Sequence, residues 1–217
     1  MRSDISRGLR YYCQGSIIAI AALLAMVIPI ILLLRLAGDY SFYRRVNSEF
    51  LPLLLVMMAL ALLMLAGGIL SLVGLITLRS GHPAYLRALI AVAAGYVCNL
   101  LGMFLPGWLG RIGQAAGLAA SVVNSYYLVQ ATAALLAAQR DAMDLPDDAA
   151  AFFDRLIRRG WLGWKIYLAV GVAQSVNTLM PVSGSLLMLG FLVVLLIADL
   201  VAWGLSLSFF LRSSRLL

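Results

Sequence analysis

The sequence predicts an all-α fold: a polytopic bundle of six membrane-spanning helices, with one short amphipathic helix at the cytoplasmic surface. Of its 217 residues, 64% are hydrophobic and only 12% are charged, about half the charged fraction of an ordinary soluble domain. Six apolar stretches reach or approach the ~20 helical residues that cross the hydrocarbon core. The prediction is one transmembrane domain over residues 1–217, with spans at 16–36, 50–78, 86–105, 112–138, 161–180 and 185–211.

The first two spans differ in how they meet the membrane boundaries. Residues 16–36 follow a basic segment, as in a signal peptide, but the run is longer than a signal core, and Arg35 occupies the place of a cleavage site. We therefore expect an uncleaved first helix. Residues 50–78 exceed the bilayer thickness, so this helix must tilt, bend near Gly67 and Gly68, or begin with an interfacial turn at Pro52.

Two tight turns divide the later spans. Pro106, Gly107 and Gly110 separate the third span from the fourth, and Pro181 and Gly184 separate the fifth from the sixth. Neither connection has room for an outer domain. We therefore expect two short helical hairpins whose turns face the outside.

The distribution of cations predicts the orientation. With the N-terminus inside, twelve of the 16 Lys and Arg residues lie in inner segments, and the outer loops hold only Arg35, Arg44, Arg45 and Arg111. Cytoplasmic loops carry such an excess, which favours both termini in the cytoplasm of a bacterial cytoplasmic membrane. The net charge of +7 then indicates contacts with membrane lipids that have anionic headgroups. Nucleic acid is not expected as a partner, because no aromatic residues alternate with the cations to stack bases.

The connection between the fourth and fifth spans has a helix signal of its own, over residues 146–159. Acidic residues precede and open it, arginines occupy its last turn, and apolar residues recur at helical spacing. The acidic residues are Asp144, a predicted cap, with Asp147 and Asp148; the arginines are Arg155, Arg158 and Arg159; the apolar residues are Ala149, Phe152, Phe153, Leu156 and Ile157. We expect this helix to end at Gly160 and to lie on the inner membrane surface beside Trp161 and Trp164. The alternative is a solvated helix packed on the ends of the bundle.

Each central span carries a stripe of small and polar residues, the kind through which helices associate in lipid. The stripes are Gly67, Ser71 and Gly74; Ala91, Gly95, Cys98 or Asn99, and Gly102; Gln114, Gly117, Ser121, and Asn124 or Ser125; and Tyr167, Gly171, Gln174, Asn177 or Thr178, and Pro181. Their spacing alternates between three and four, so each stripe occupies one helix face. These faces are expected to point at one another.

Five polar residues form a candidate polar cavity: Asn99, Asn124, Gln174, Asn177 and Asp199. Counted at about 1.5 Å per residue from the outer turns, Asn124 and Asp199 reach a common depth near the membrane centre. Asp199 is the only carboxylate deep in a span, where a charge costs at least ~2.5 kcal/mol. It is either a proton- or cation-responsive group in a polar cavity, or a neutral contact to Asn124 or Ser125 that joins helices.

Catalytic and cofactor motifs are missing from the sequence. One deep carboxylate does not serve an aspartyl mechanism, and Ser183 lacks both a G-x-S-G pattern and a later histidine. His82 is alone in a loop, and Cys13 and Cys98 lie at different predicted depths. We therefore expect a protein that is not an enzyme and that binds no cofactor or metal. Tyr126 and Tyr127 are predicted in mid-span, as core packing or as the lining of a cavity.

Two stretches carry a family resemblance. They are Gly74-Leu-x-x-Leu-x-x-x-His82-x-x-Tyr85-x-x-Ala88 and a later tract ending Ala131-x-x-x-Leu135-Leu136. Together they resemble uncharacterised multi-pass membrane proteins of Gram-positive gut bacteria over about half the chain, which implies a membrane fold but no activity. Six helices at this length are also similar to the substrate-binding subunits of vitamin uptake systems.

These observations leave two functional hypotheses. The first is a non-enzymatic structural or accessory component of a membrane complex, working as a homo-oligomer or with another membrane protein. The second is a small-solute transporter or substrate-binding membrane subunit that uses the amide and aspartate cluster described above.

Overall fold

The computed structural model describes residues 2–38, 50–143, 146–180 and 186–217, and this part of the chain is almost entirely α-helical. The predicted all-α class is confirmed. The helices are α1 (Arg2–Gly38), α2 (Phe50–Leu78), α3 (Pro83–Phe104), α4 (Gly107–Ala142), α5 (Asp147–Leu179) and α6 (Leu186–Leu216). Each predicted span lies almost wholly within one of these helices, but five of the six helices extend past the predicted ends, and α1 and α5 each begin 14 residues before the predicted span. The predicted outer loop with Arg44 and Arg45, and the predicted turn with Pro181 and Gly184, lie outside the described residues.

Four of the described helices are long and apolar enough to cross a membrane on length and composition alone. The stretches are Ser3–Leu33 of α1, Leu51–Leu78 of α2, Pro83–Phe104 of α3 and Gly190–Leu216 of α6. α4 and α5 are longer than α3 but more polar, and they are not among the four. Composition therefore indicates a membrane protein with at least four candidate spans, and it does not confirm six.

The chain forms two compact units. One comprises Tyr11–Gly74, which is most of α1 and α2, and the other comprises Met1–Arg10 with Leu75–Leu217. The second unit therefore contains α3 to α6, the start of α1 and the end of α2.

In the unit of residues 11–74, α1 and α2 approach each other through small residues. A Cβ atom on Gly67 would lie 2.6 Å from the carbonyl oxygen of Gly15 and 2.7 Å from the backbone nitrogen of Ala19. The Ser71 hydroxyl donates to the carbonyl oxygen of Tyr12 at 3.3 Å. The predicted stripe on this helix is thus a contact face at Gly67 and Ser71, where backbones meet with no side chain between them.

In the larger unit, consecutive helices pack in the order α3, α4, α5 and α6. Glycines bring α3 and α4 together, since a Cβ atom on Gly113 would lie 2.7 Å from the Cα atom of Gly102. Farther along the same contact, a Cβ atom on Gly95 would lie 3.3 Å from that of Ala120. The turn between the two helices uses Gly107 at φ 62°, a left-handed conformation that side chains disfavour.

Helix α5 corrects one sequence prediction. The predicted short helix at 146–159 and the predicted span at 161–180 form one continuous helix, so the expected stop at Gly160 is wrong. A Cβ atom on Gly160 would lie 3.0 Å from the Phe209 ring of α6. Glycine costs a helix about 1 kcal/mol relative to alanine, and close contact with a large aromatic ring offsets that cost. The predicted cap Asp144 lies outside the described residues.

The larger unit is packed unequally along its length. At one end, where α3 and α5 begin and α4 and α6 terminate, many side chains have no solvent exposure: Leu9, Leu78, Tyr85, Leu128, Thr132, Leu136, Phe209 and Ser213. We name this the packed end. At the other end, around the α3–α4 turn, Met103 is 77% exposed, Phe104 83% and Trp108 68%. We name this the open end.

Candidate functional site

The five candidate cavity residues lie on four different helices. Asn99 is on α3, Asn124 on α4, Gln174 and Asn177 on α5, and Asp199 on α6. Asn99 is exposed and the other four are half-buried. In the described part of the chain, no hydrogen bond joins any two of the five side chains. Their proposed role as a shared polar site stays a prediction.

Asn99 lies at the contact between α3 and α4. A Cβ atom on Gly117 would lie 2.5 Å from the Asn99 side-chain carbon and 2.9 Å from its nitrogen. The amide therefore occupies the space that the glycine leaves free. This position joins two neighbouring helices, as the stripe of small residues predicted.

Asn124 presents an unsatisfied polar atom on α4. Its side-chain oxygen is buried and has no hydrogen-bond partner among the described residues, and the same holds for the side-chain oxygen of Gln130. An unpaired buried oxygen costs about 1–3 kcal/mol. The two amides are six residues apart on one helix. Sequence reasoning missed Gln130, although it is an amide within the predicted fourth span, because it does not share the stripe of Asn124.

Asp199 lies where α4, α5 and α6 meet. The Tyr167 side chain of α5 lies within electrostatic range of the Asp199 carboxylate and contacts the side chain of Ser121 on α4. The Ser121 hydroxyl itself donates to the carbonyl oxygen of Gly117 at 3.1 Å. No group of three or more His, Cys, Asp or Glu side chains in the described segments is arranged to hold a metal ion.

Gln174 and Asn177 lie in a stretch of α5 whose hydroxyl groups bond within their own helix. Thr178 donates to the carbonyl oxygen of Gln174 at 2.9 Å, and Ser175 donates to that of Gly171 at 2.7 Å. Such bonds satisfy a hydroxyl group in lipid without a partner helix. Polar residues in this stretch therefore do not by themselves indicate a binding site.

A polar network at the packed end was not predicted from the sequence. The Tyr85 and Thr132 hydroxyl oxygens are 2.9 Å apart, and Thr132 donates to the Leu128 carbonyl oxygen at 2.8 Å, so Tyr85 is the donor in the pair. The Gln139 amide donates to the carbonyl oxygen of Leu216 at 2.7 Å. These bonds tie α3, α4 and α6 together. The sequence carries little signal for them, because each uses one isolated polar residue per helix.

Two further contacts join helices at the packed end. The Ser6 hydroxyl of α1 donates to the Ser214 carbonyl oxygen of α6. Arg140 of α4 pairs with Asp154 of α5 at 2.5 Å and with Asp141 at 2.8 Å. The hydrogen bond to Asp141 and the negative charges of Asp141 and Asp154 raise the pKa of Arg140 above its ordinary value. The guanidinium therefore stays charged at every physiological pH.

Aromatic side chains form a half-buried group on α4 and α5, which we name the aromatic band: Tyr126, Tyr127, Trp161 and Trp164. The Tyr126 ring centroid lies 5.4 Å from that of Tyr127, 5.6 Å from Trp161 and 5.2 Å from Trp164. The Trp164 indole donates to the Val122 carbonyl oxygen at 3.4 Å. Neither tyrosine is fully buried, so the band is partly accessible at the surface of α4 and α5.

No protein-family model, curated protein or solved structure matches this chain. Any assignment of function therefore rests on the residues and contacts described above.

Proposed function

We propose that the chain is a non-enzymatic integral membrane protein with six transmembrane helices, a structural or accessory component of a complex in a bacterial cytoplasmic membrane. The observation that carries the proposal is how the chain uses its polar groups. The described hydroxyl and amide hydrogen bonds run to helix backbones or across helix contacts, and the candidate cavity residues share none. The bonds across helix contacts hold helices together, and the bonds within one helix satisfy its own hydroxyl groups.

Helix packing supports six crossings instead of four. α3 and α6 are apolar enough to cross alone, and α4 and α5 lie between them in the packing order. α3 and α4 stay in contact along their length, from Gly102 and Gly113 to Tyr85 and Thr132. Helices that lie side by side share one depth range, so α4 and α5 cross as well. Their neighbours shield part of their polar surface from lipid.

The spacing of aromatic residues along α3 and α4 supports one membrane boundary near the open end and the other near the aromatic band. Trp108 at the open end and Tyr127 in the aromatic band are separated by roughly 28 Å along α4, at 1.5 Å per residue. Arg87 and Phe104 are separated by roughly 26 Å along α3. Both values approach the ~30 Å hydrocarbon thickness, and Trp and Tyr concentrate at membrane interfaces. In this arrangement Asn124 lies within one turn of the inner boundary, away from the membrane centre.

The charge distribution supports cytoplasmic termini. Beyond the aromatic band, the first part of α5 carries three exposed arginines, Arg155, Arg158 and Arg159. Near the open end, the described residues of α4 carry Arg111. An excess of cations on the packed-end side favours the cytoplasm for that side, where anionic headgroups are the expected lipid contacts.

Large apolar surfaces remain for lipid or a partner. In the most apolar stretch of α2 only 6% of residues are buried, and in that of α6 only 11%. Surfaces of this kind suit either acyl chains or another membrane protein, including a second copy of the chain.

One observation favours a second function. Ser121, Tyr167 and Asp199 converge from three helices, and the oxygen of Asn124 is buried without a partner among the described residues. A small-solute transporter or substrate-binding subunit could use this group to bind a polar solute or a cation. We therefore keep transport as the alternative.

Cysteine labelling tests the membrane arrangement. In a background with Cys13 and Cys98 replaced by serine, we expect Trp108→Cys in intact cells to react with a membrane-impermeant maleimide. Ser80→Cys and Ala149→Cys should react only after the cells are opened. Reaction of both of the latter in intact cells contradicts the proposed crossings.

Ligand-dependent stabilisation separates the accessory role from transport. Tm is measured in nanodiscs for the wild type and for Asp199→Asn against a panel of vitamins, amino acids and monovalent cations. The accessory role predicts no shift with any compound. A shift in the wild type that Asp199→Asn abolishes would establish a binding site and overturn the accessory role in favour of transport.

A further inference from the structure

Two cations, Arg87 and Lys165, flank the aromatic band, one on each side. The Arg87 guanidinium carbon of α3 lies 5.8 Å from the centre of the Tyr127 ring, and Tyr127 contacts Tyr126, which contacts Trp164. Lys165 directly follows Trp164 on α5. Arg87 and Lys165 are exposed. Three helices thus contribute to a surface with positive charge at both edges and aromatic rings between.

Neither cation has a carboxylate partner in the described residues. The salt bridges there join Arg140 to Asp141 and Asp154, and no hydrogen bond from Arg87 or Lys165 accompanies them. Some other cations on α4 and α5 do have partners: Arg140 pairs with two aspartates, and Arg155 donates to its own helix at the Ala151 carbonyl oxygen. Arg87 and Lys165 therefore keep their charge and their donors available for an external anion.

Apolar side chains extend from the band towards the open end. On α4, Val123 is exposed one turn from Tyr126 and Tyr127, and on α5 Leu168 and Val172 are exposed one and two turns beyond Trp164. Residues three and four apart share a helix face, so these side chains lie below the same rings. The surface therefore combines a cationic edge, aromatic rings and an apolar lower face, in the order in which a phospholipid presents phosphate, glycerol and acyl chains.

We propose that the aromatic band, with Arg87 and Lys165, is a binding site for an anionic phospholipid. The two cations attract the lipid phosphate from opposite sides of the rings, the glycerol region lies on the rings, and the acyl chains lie along Val123 and Leu168. The site requires the membrane boundary inferred above, but it does not depend on whether the protein is an accessory subunit or a transporter.

Tryptophan quenching by brominated lipids tests the site. In a Trp108→Phe/Trp203→Phe background, the remaining tryptophans belong to the band. The protein is reconstituted into vesicles of phosphatidylcholine containing a fixed fraction of brominated phosphatidylglycerol or of brominated phosphatidylcholine. We expect stronger quenching by the anionic lipid, and we expect Arg87→Gln and Lys165→Gln each to lower the relative affinity about fivefold, as one basic contact near a membrane surface typically does.

Matched variants control for folding and for general charge. Arg111→Gln removes an exposed cation from the other end of α4 and should leave the lipid preference unchanged, while Arg87→Lys should retain most of it. Equal Tm values in zwitterionic lipid show that the variants fold. Equal quenching by both lipids in the parent protein, or an unchanged preference in the double variant Arg87→Gln/Lys165→Gln, overturns the proposal. Release of the brominated lipid by millimolar inorganic phosphate would make the site a free-anion site and would also overturn it.

Discussion

The two ends of the larger unit are held together by different means. At the packed end, large side chains such as Phe209 and Tyr85 have no exposure, and hydrogen bonds join α3, α4 and α6. At the open end, α3 and α4 meet backbone to backbone through Gly102 and Gly113, while Phe104 and its neighbours face outward.

The solvent explains the difference. In the proposed arrangement the packed end projects beyond the inner boundary into water, where burial of apolar surface stabilises contacts. The open end lies in lipid and at its outer boundary. Lipid tails are as apolar as leucine, so burial there brings no gain, and close backbone approach holds helices instead. The contact between α3 and α4 is thus held by buried side chains and a hydrogen bond at the packed end, and by close backbone approach at the open end.

The largest effect is expected from Phe209→Ala. The substitution removes a fully buried ring at the packed end and leaves a cavity beside Gly160, which should lower the free energy of unfolding by about 4 kcal/mol. Unfolding by SDS titration in mixed micelles, followed by tryptophan fluorescence, measures the change. Phe104→Ala, at the exposed open end, is the matched control and should change it little. Equal losses in the two variants would contradict the comparison.

A methyl group at the open end should have a smaller but definite effect. Gly113→Ala puts its Cβ 2.7 Å from the Gly102 Cα atom and 2.8 Å from its nitrogen, so α3 and α4 must separate, at a cost of about 2 kcal/mol. The control is Gly204→Ala, where nothing lies within 4 Å and alanine should stabilise the helix by up to about 1 kcal/mol. The same titration gives both values. A stabilised Gly113→Ala would show that backbone approach does not hold this end.

Removal of one hydroxyl group at the packed end should cost less. Tyr85→Phe deletes the donor to Thr132 while Thr132 keeps its bond to the Leu128 carbonyl oxygen, so we expect a loss of about 1 kcal/mol. Addition of Thr132→Val should cost little more, because both partners are then absent. The double-mutant cycle measures the coupling, and additive effects would exclude a direct bond.

The smallest effect is expected for Arg140→Gln. Its ion pairs with Asp141 and Asp154 are partly exposed, and exposed pairs stabilise folded proteins little. Tm in detergent should therefore stay within error of the wild type, and added salt should not change that result. A clear fall in Tm would mean that charge pairing contributes to the packed end beside burial.

Sequence patterns predicted the helices and their small-residue faces well. Apolar length located all six helices, and helical spacing identified the faces of Gly67 on α2 and of Gly102 and Gly117 at the α3–α4 contact. Both signals are local, so one segment carries them. The prediction that the helix stops at Gly160 was wrong. Packing of the Phe209 ring against Gly160 stabilises the helix there, and Phe209 is 49 positions away in the chain.

The candidate site was less predictable. Residue counting from the outer turns put Asn124 near the membrane centre, whereas the proposed boundaries put it within one turn of the inner boundary. Counting also gives no direction around the helix axis, and an amide can bond a carboxyl group only when both depth and direction agree. Tyr126 was expected in mid-span because the apolar run of α4 continues past it. Its contact with Trp161 and Trp164 depends on the alignment of α5 against α4, which no pattern within either segment specifies.

The polar character of α4 and α5 has a consequence for biosynthesis. In the proposed six-span arrangement, α4 and α5 enter the lipid less readily on their own than α3 and α6, which are apolar enough by composition to cross alone. The hairpin turn at Gly107 lets α4 enter as the second arm of a pair already anchored by α3. α5 then relies on α6, which is synthesised after it, so a nascent chain released before α6 would leave α5 without one of its two packing partners.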